Sequence, residues 1–199
     1  MRLTTLPIQD STYILSFQLF PLRFQSGHTS IIHFTAHGKN MKKYGDRNPG
    51  IWFNPGSEYD AKNSLHICSA VNNNKNYCFN TKKTIPRNQW TAIEISQLWT
   101  GGHHRYQIRV DGELVHSRVN TVAKGFSKVK VYAGDPWYNS LQGYIRGIVI
   151  APNIYQIKPG NSMLYLLTVE MVDLLQNPLA LSTCESPLRL YDGFILQFI

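Results

Sequence analysis

The tightest constraint on this chain is the spacing of its breakers. Short runs rich in β-branched and aromatic residues are interrupted by Ser26-Gly27, Asn48-Pro49-Gly50, Asn54-Pro55-Gly56, Asn72-Asn73-Asn74, Gly101-Gly102, Asp111-Gly112 and Gly134-Asp135-Pro136. Punctuation this dense leaves little room for a helix before Ala151 and calls for short strands joined by tight turns. The runs predict strands at 13–20, 29–35, 50–53, 64–71, 76–80, 90–96, 105–110, 113–119, 127–133 and 143–150. About ten short strands at this spacing imply an all-β antiparallel sandwich or barrel, and two curved sheets packed face to face is the economical form.

The strongest single signal is Asp111-Gly112. Both residues tolerate φ > 0, and the runs on either side alternate, so 105–119 reads as a hairpin. Tyr106, Ile108 and Val110 alternate with Gln107 and Arg109, which gives one apolar and one wet face. In the preceding run, Trp90 and Ala92 share one parity and Ile93 and Ile95 the other, so that strand is expected to be covered on both sides, with Trp90 in a packing role.

Cys68 and Cys78 flank the Asn72-Asn73-Asn74 turn. A three-residue loop there places them directly opposite each other, with His66 opposite Asn80, and predicts a disulfide. A two-residue turn one residue further on would put them on opposite faces and leave two buried thiols. A bridge implies an oxidising compartment. Cys184 is then unpaired.

Lys and Arg outnumber Asp and Glu by 20 to 12. The excess is uneven: residues 1–151 hold 18 basic and 8 acidic residues (net +10), and 152–199 hold 2 and 4 (net −2). The basic clusters, Lys39, Lys42, Lys43 and Arg47, then Lys82, Lys83 and Arg87, then Lys124, Lys128 and Lys130, are small. A solvated face accounts for them better than a polyanion site, although a sulfated polyanion remains a partner class to test. Nothing points to nucleic acid. No secretory signal opens the chain, and no run of 18 apolar residues provides a membrane span.

The run Asn88-Gln-Trp-Thr-Ala-Ile-Glu-Ile95, then Tyr106-Gln-Ile-Arg-Val-Asp-Gly-Glu-Leu-Val115, resembles the pattern of concanavalin A-like jelly-roll domains, to which laminin G-like, pentraxin-like and animal lectin modules belong. Gly143-Tyr-Ile-Arg-Gly-Ile-Val-Ile150 is similar to their closing strand. Ile31-Ile-His-Phe-Thr35, the stretches 44–53 and 65–72, and 129–138 look similar to lectin-like modules of marine-invertebrate surface and secreted proteins. The resemblance covers about residues 11–151. It implies a concanavalin A-like β-sandwich domain there, an extracellular or cell-surface setting within a longer parent protein, and recognition of a glycan or glycoprotein surface.

Residues 152–199 do not fit that pattern. The apolar stretch 162–176 suggests a short helix capped by Asn161 or Ser162 and ended by Asn177-Pro178. Two readings stand side by side: a truncated or alternatively spliced product whose tail lies outside the domain, or a genuine C-terminal helix packed on the sandwich.

Catalysis finds no support. Jelly-roll glycosidases place two carboxylates on one strand face across the scissile bond. Glu94 has Ser96 and Leu98 at the matching positions, and Asp111 and Glu113 are hairpin residues. No nucleophile elbow is present. His103 and His104 are adjacent and point to opposite faces, and the three cysteines lack a C-x-x-C pair, so the common zinc patterns are absent. Asp46, Asp60 and Asp135 lie on predicted loops but lack the spacing of a calcium loop, so calcium is unsupported and no cofactor is assigned.

The stretch Val129-Lys-Val-Tyr-Ala-Gly-Asp-Pro-Trp-Tyr138 ends a strand in a turn bearing two large aromatics. Turn aromatics either close the end of a core or stack on a sugar ring. The candidate ligand-binding set is Asp46, Arg47, Trp52, Asn54, His66, Asn76, Asp135, Trp137 and Tyr138. The galectin pattern H-x-N-x-R is missing around His33, so galactose specificity does not transfer. The alternative is a laminin G-like interaction or adhesion module without sugar binding, for which a flat rim and a buried Trp137 are expected.

Overall fold

The computed structural model describes residues 1–57, 60–152, 166–169, 172–173 and 195–198. The strands are β1 (Arg2–Gln9), β2 (Tyr13–Arg23), β3 (Thr29–Thr35), β4 (Gly50–Phe53), β5 (Leu65–Val71), β6 (Asn74–Asn80), β7 (Thr91–Thr100), β8 (His103–Val110), β9 (Glu113–Asn120), β10 (Phe126–Ala133), β11 (Asn139–Ser140), β12 (Gln142–Pro152), β13 (Leu166–Val169), β14 (Val172–Asp173) and β15 (Ile195–Phe198). A seven-stranded sheet runs β1-β10-β3-β4-β5-β6, with β11 pairing β3 in parallel. A six-stranded sheet runs β14-β12-β2-β7-β8-β9, and β13 pairs β15 apart from both.

Period-2 alternation decides what each strand contributes. From β2, Leu15, Phe17 and Leu19 enter the core; Ile93 and Ile95 come from β7, and Tyr106 and Ile108 from β8. The other sheet supplies Ile51 and Phe53 from β4, and Leu65 and Ile67 from β5. Each fully buried aliphatic or aromatic side chain is worth roughly 1.5–3 kcal/mol relative to exposure, so this interior is the main source of stability. The alternate residues of β4 and β5, Trp52, His66 and Cys68, belong to the opposite face of the sheet.

The hairpin at Asp111-Gly112 forms as expected, with φ of 49° and 79° and Val110 paired to Glu113. Cys68 lies opposite Cys78 and His66 opposite Asn80, and the two cysteines are bonded with Cα atoms 4.0 Å apart. The turn reached that pairing by a different route. Asn72 and Asn73 form a two-residue turn with φ of 51° and 60°, Asn74 already belongs to β6, and an irregularity between Ser69 and Val71 restores the register. The separation is also shorter than the usual 4.4–6.8 Å between bridged residues.

Other expectations shift. Arg2–Gln9 was not predicted as a strand, yet β1 pairs β10 along the sheet edge. Its alternation is poor, with Ile8 64% exposed beside buried Leu6, and Pro7 suits an edge. Trp90 keeps a packing role on the outer face of the six-stranded sheet, 5.2 Å from Phe20 and 3.9 Å beneath the Arg146 guanidinium. Beside it Ala92 and Glu94 are only half-buried, so β7 is covered fully on one side alone. Within 162–176, Leu166–Val169 and Val172–Asp173 are strands rather than helix. The rest of that stretch, its cap at Asn161 or Ser162, and Cys184 lie outside the described residues.

Candidate functional site

The site is built on the outer face of the seven-stranded sheet. His33 on β3 pairs Gly50 on β4, Trp52 pairs His66 on β5, and Cys68 pairs Cys78 on β6. The loop 36–49 and the turn 134–138 that follows β10 both meet this row, through Arg47 on Trp52 and through Asp135 on Trp52 and His33.

Asp135 organises the turn. Its Oδ1 accepts from the backbone N–H of Trp137 and of Tyr138, both at 3.0 Å. Its Oδ2 accepts from Trp52 Nε1 at 3.0 Å and faces His33 Nδ1 at 3.0 Å. Burial pushes the Asp135 carboxyl up, but the hydrogen bond and charge of His33 and the Trp137 N–H outweigh it, and the net shift is downward. The group is therefore a carboxylate at neutral pH. His33 Nε2 meets the Asp46 carbonyl at 2.7 Å. Both ring nitrogens thus face acceptor oxygens, and neither the His33 nor the Asp135 side chain is exposed.

Arg47 is the second hub. It is 5% exposed, and its guanidinium lies over the Trp52 ring at 4.5 Å. It donates from Nη1 to Asn76 Oδ1 at 2.6 Å, from Nε and Nη2 to Asn40 Oδ1 at 3.1 and 2.8 Å, and from Nη2 to Tyr138 Oη at 3.5 Å. Burial lowers its pKa while Tyr138 and Asp135 support the charge. Asn40 Nδ2 also donates to Tyr138 Oη at 3.2 Å, so the phenol is held from below. The loop that carries Arg47 is pinned by Asp46, whose carboxylate accepts from Lys43 N at 2.6 Å and faces His37 Nδ1 at 3.0 Å.

The rings form one continuous cluster. His33 lies 5.3 Å from Trp52 and 5.1 Å from Trp137; Trp52 lies 5.7 Å from Tyr138 and 5.9 Å from His66; His28 lies 5.0 Å from His66 and 6.0 Å from Tyr138. Burial holds the His28 and His66 rings below their ordinary pKa, so both are neutral at pH 7. Above this floor opens a pocket of about 470 Å³ lined by Ser26, Gly27, His28, Pro136, Trp137, Tyr138 and Asn139.

Of the residues expected from sequence, Trp137 and Tyr138 line the pocket, half-buried. Asp46, Arg47, Trp52, Asn76, His66 and Asp135 join the network that supports it. Asn54 stands apart, buried, with Oδ1 accepting from Gly56 N at 3.0 Å. The carboxylates of Asp46 and Asp135 are occupied by N–H donors rather than turned toward one cation site, and Asp60 Oδ1 accepts from Asn80 Nδ2 at 2.7 Å. His28, His33, Asn40 and Asn139 were not anticipated. Ser26-Gly27 was marked only as a breaker, and His33 sits inside a strand whose neighbours are all buried, so neither carried a local signal.

No family model matches the chain, and no curated protein matches it by sequence. Solved structures are similar in fold. The heptameric SAP-like pentraxin of Limulus polyphemus is 15% identical at a TM-score of 0.49, over 75% of this chain and 67% of that one. Sheep galectin-11 is 14% identical at 0.37, over 67% of this chain and 92% of that one. A proposed carbohydrate-binding protein of Bacteroides ovatus is 13% identical at 0.50, over 74% of this chain but only 38% of that one. With its two face-to-face antiparallel sheets and that last match in shape, the chain has the concanavalin A-like jelly-roll β-sandwich fold.

Proposed function

We infer that the protein is a non-enzymatic recognition module that binds carbohydrate in the pocket between residues 26–28 and 136–139. The carrying observation is that Trp137 and Tyr138, both lining the pocket, are positioned by a buried carboxylate and a buried arginine before any ligand arrives. Preorganised aromatic walls lose little side-chain freedom on binding, and the volume suits a small ligand such as one or two sugar rings. Tyr138 Oη, the His28 ring and the Asn139 amide add directional polar groups. The Bacteroides ovatus protein of matching fold carries a proposed carbohydrate-binding role, which supports the same class of ligand here. The unit we propose to bear it is the sandwich, and because β1 completes the sheet edge, expression should start at residue 1 rather than 11.

A glycan array probed with residues 1–152, followed by titration of Trp137→Ala, tests this. Trp137→Ala is expected to weaken binding at least tenfold, about 1.4 kcal/mol, with an unchanged melting temperature. Silence across neutral and sulfated glycans overturns the sugar reading and favours the laminin G-like interaction module. If only sulfated glycans bind and affinity falls steeply with salt, the ligand is a polyanion. An extracellular or cell-surface setting within a longer parent protein accords with the disulfide.

A further inference from the structure

The face beneath the pocket carries a cluster whose two cysteines sugar recognition does not use. The ligand-capable atoms of His66, Cys68 and Cys78 all lie within 4.8 Å of one another. The His66 ring is oriented from behind. Asn80 donates from Nδ2 to the Asp60 carboxylate at 2.7 Å, which fixes the amide so that its oxygen faces His66 Nδ1 at 2.6 Å. That oxygen only accepts, so Nδ1 carries the proton of the neutral ring. Nε2 then holds a lone pair, aimed at Cys68 Sγ from 3.2 Å. The sulfur also presents lone pairs, and no proton lies between the two atoms. A hydrogen-bonded relay behind a bare imidazole nitrogen is the arrangement that orients metal-ligating histidines. Arg47 Nη1 stands 3.5 Å from the same sulfur. Next to His66 lies the ring of His28, whose Nδ1 is buried without a hydrogen-bond partner among the described residues.

We propose that His66, Cys68 and Cys78 form a redox-gated site for a thiophilic divalent cation of the zinc class, closed in the disulfide form and open in the dithiol form. A dithiol reductant supplies two electrons and two protons: the Cys68–Cys78 S–S bond breaks, two protein thiols form, and the reductant leaves as its own disulfide. The cation then displaces both thiol protons and is held by two thiolates and His66 Nε2. Tetrahedral coordination leaves a fourth position, open to water or to the His28 ring that lies beside His66. The cross-strand spacing of His66, Cys68 and Cys78 is not a tandem cysteine motif, which is why the sequence pattern did not disclose it. The proposal stands independently of the sugar reading.

The test is a cobalt(II) titration of the full chain carrying Cys184→Ser, so that only these two cysteines remain. A phosphine serves as reductant because it competes for the ion far less than a thiol does. Reduced protein is expected to develop thiolate-to-cobalt charge-transfer and tetrahedral d–d bands that saturate at one ion per chain and bleach with zinc, while the oxidised protein stays colourless. His66→Asn should lower the affinity at least tenfold, and Asn80→Leu, which removes only the orienting contact, about 10–100-fold. The comparison of reduced with oxidised protein needs no further variant to fold. Absence of the charge-transfer band after reduction, or a band unchanged in His66→Asn, overturns the proposal.

Discussion

The Asp135 carboxylate lies 3.0 Å from His33 Nδ1, with both side chains fully buried. The pair links the aromatic turn to the middle of the sheet, because the same carboxylate also holds Trp52, Trp137 and Tyr138. Asp135→Asn keeps the shape but removes the buried carboxylate on which His33, Trp52 and two backbone N–H groups converge. Breaking a buried pair from one side costs about 3–5 kcal/mol. Urea denaturation is expected to show a loss of that size, with a weakened near-UV aromatic signal. A loss below about 1 kcal/mol would mean that the backbone N–H contacts, not the Asp135–His33 contact, hold the turn.

Acid should destabilise the fold in two separate ranges. His28, His66, His104 and His116 are all held below 6.5 by burial, so the unfolded chain takes up protons first as pH falls through that value. Stability is complete above about pH 6.5 and declines below it. Asp135 is held below 3.8, so its contribution is present above that value and is lost as pH falls through its lower folded value. Melting temperatures measured from pH 8 down to pH 3 are expected to show both declines. His116→Gln removes one of these four groups and should make the first decline shallower while leaving the second as it is; an unchanged profile would contradict the burial argument.

Gly50 is a space requirement rather than a turn requirement. A Cβ there would collide with the Trp52 ring, which folds back over it two residues along the same face. Gly50→Ala is therefore expected to displace the indole from both Asp135 and Arg47, costing about 1–3 kcal/mol as an overpacked site does. Thermal melts combined with tryptophan fluorescence would register it. An unshifted emission maximum with unchanged stability would show that the ring has another place to go.

The Cys68–Cys78 bridge joins residues only 10 apart in sequence. On the chain-entropy account, closing so short a loop stabilises by about 2–3 kcal/mol. Cys68→Ser is expected to lower Tm under non-reducing conditions and to match the reduced parent when reductant is present. An equal drop in both conditions would place the contribution in packing.

What the sequence determined by itself is local. The two-residue period of Tyr106, Ile108 and Val110, the Asp111-Gly112 hairpin, and the all-β architecture follow from side-chain alternation and turn chemistry within a few residues. Even the opposition of Cys68 and Cys78 was legible, although the turn that achieves it was not, because an irregularity between Ser69 and Val71 is set by the whole ladder and not by the loop. Tertiary structure alone decided that the 26–28 turn meets the 134–139 turn, that Arg47 lies on Trp52, and that His33 meets Asp135, 102 residues away. A buried histidine–carboxylate contact and a pocket wall are made by strands brought side by side in the order β10-β3-β4, and nothing in any one strand's alternation encodes its neighbours.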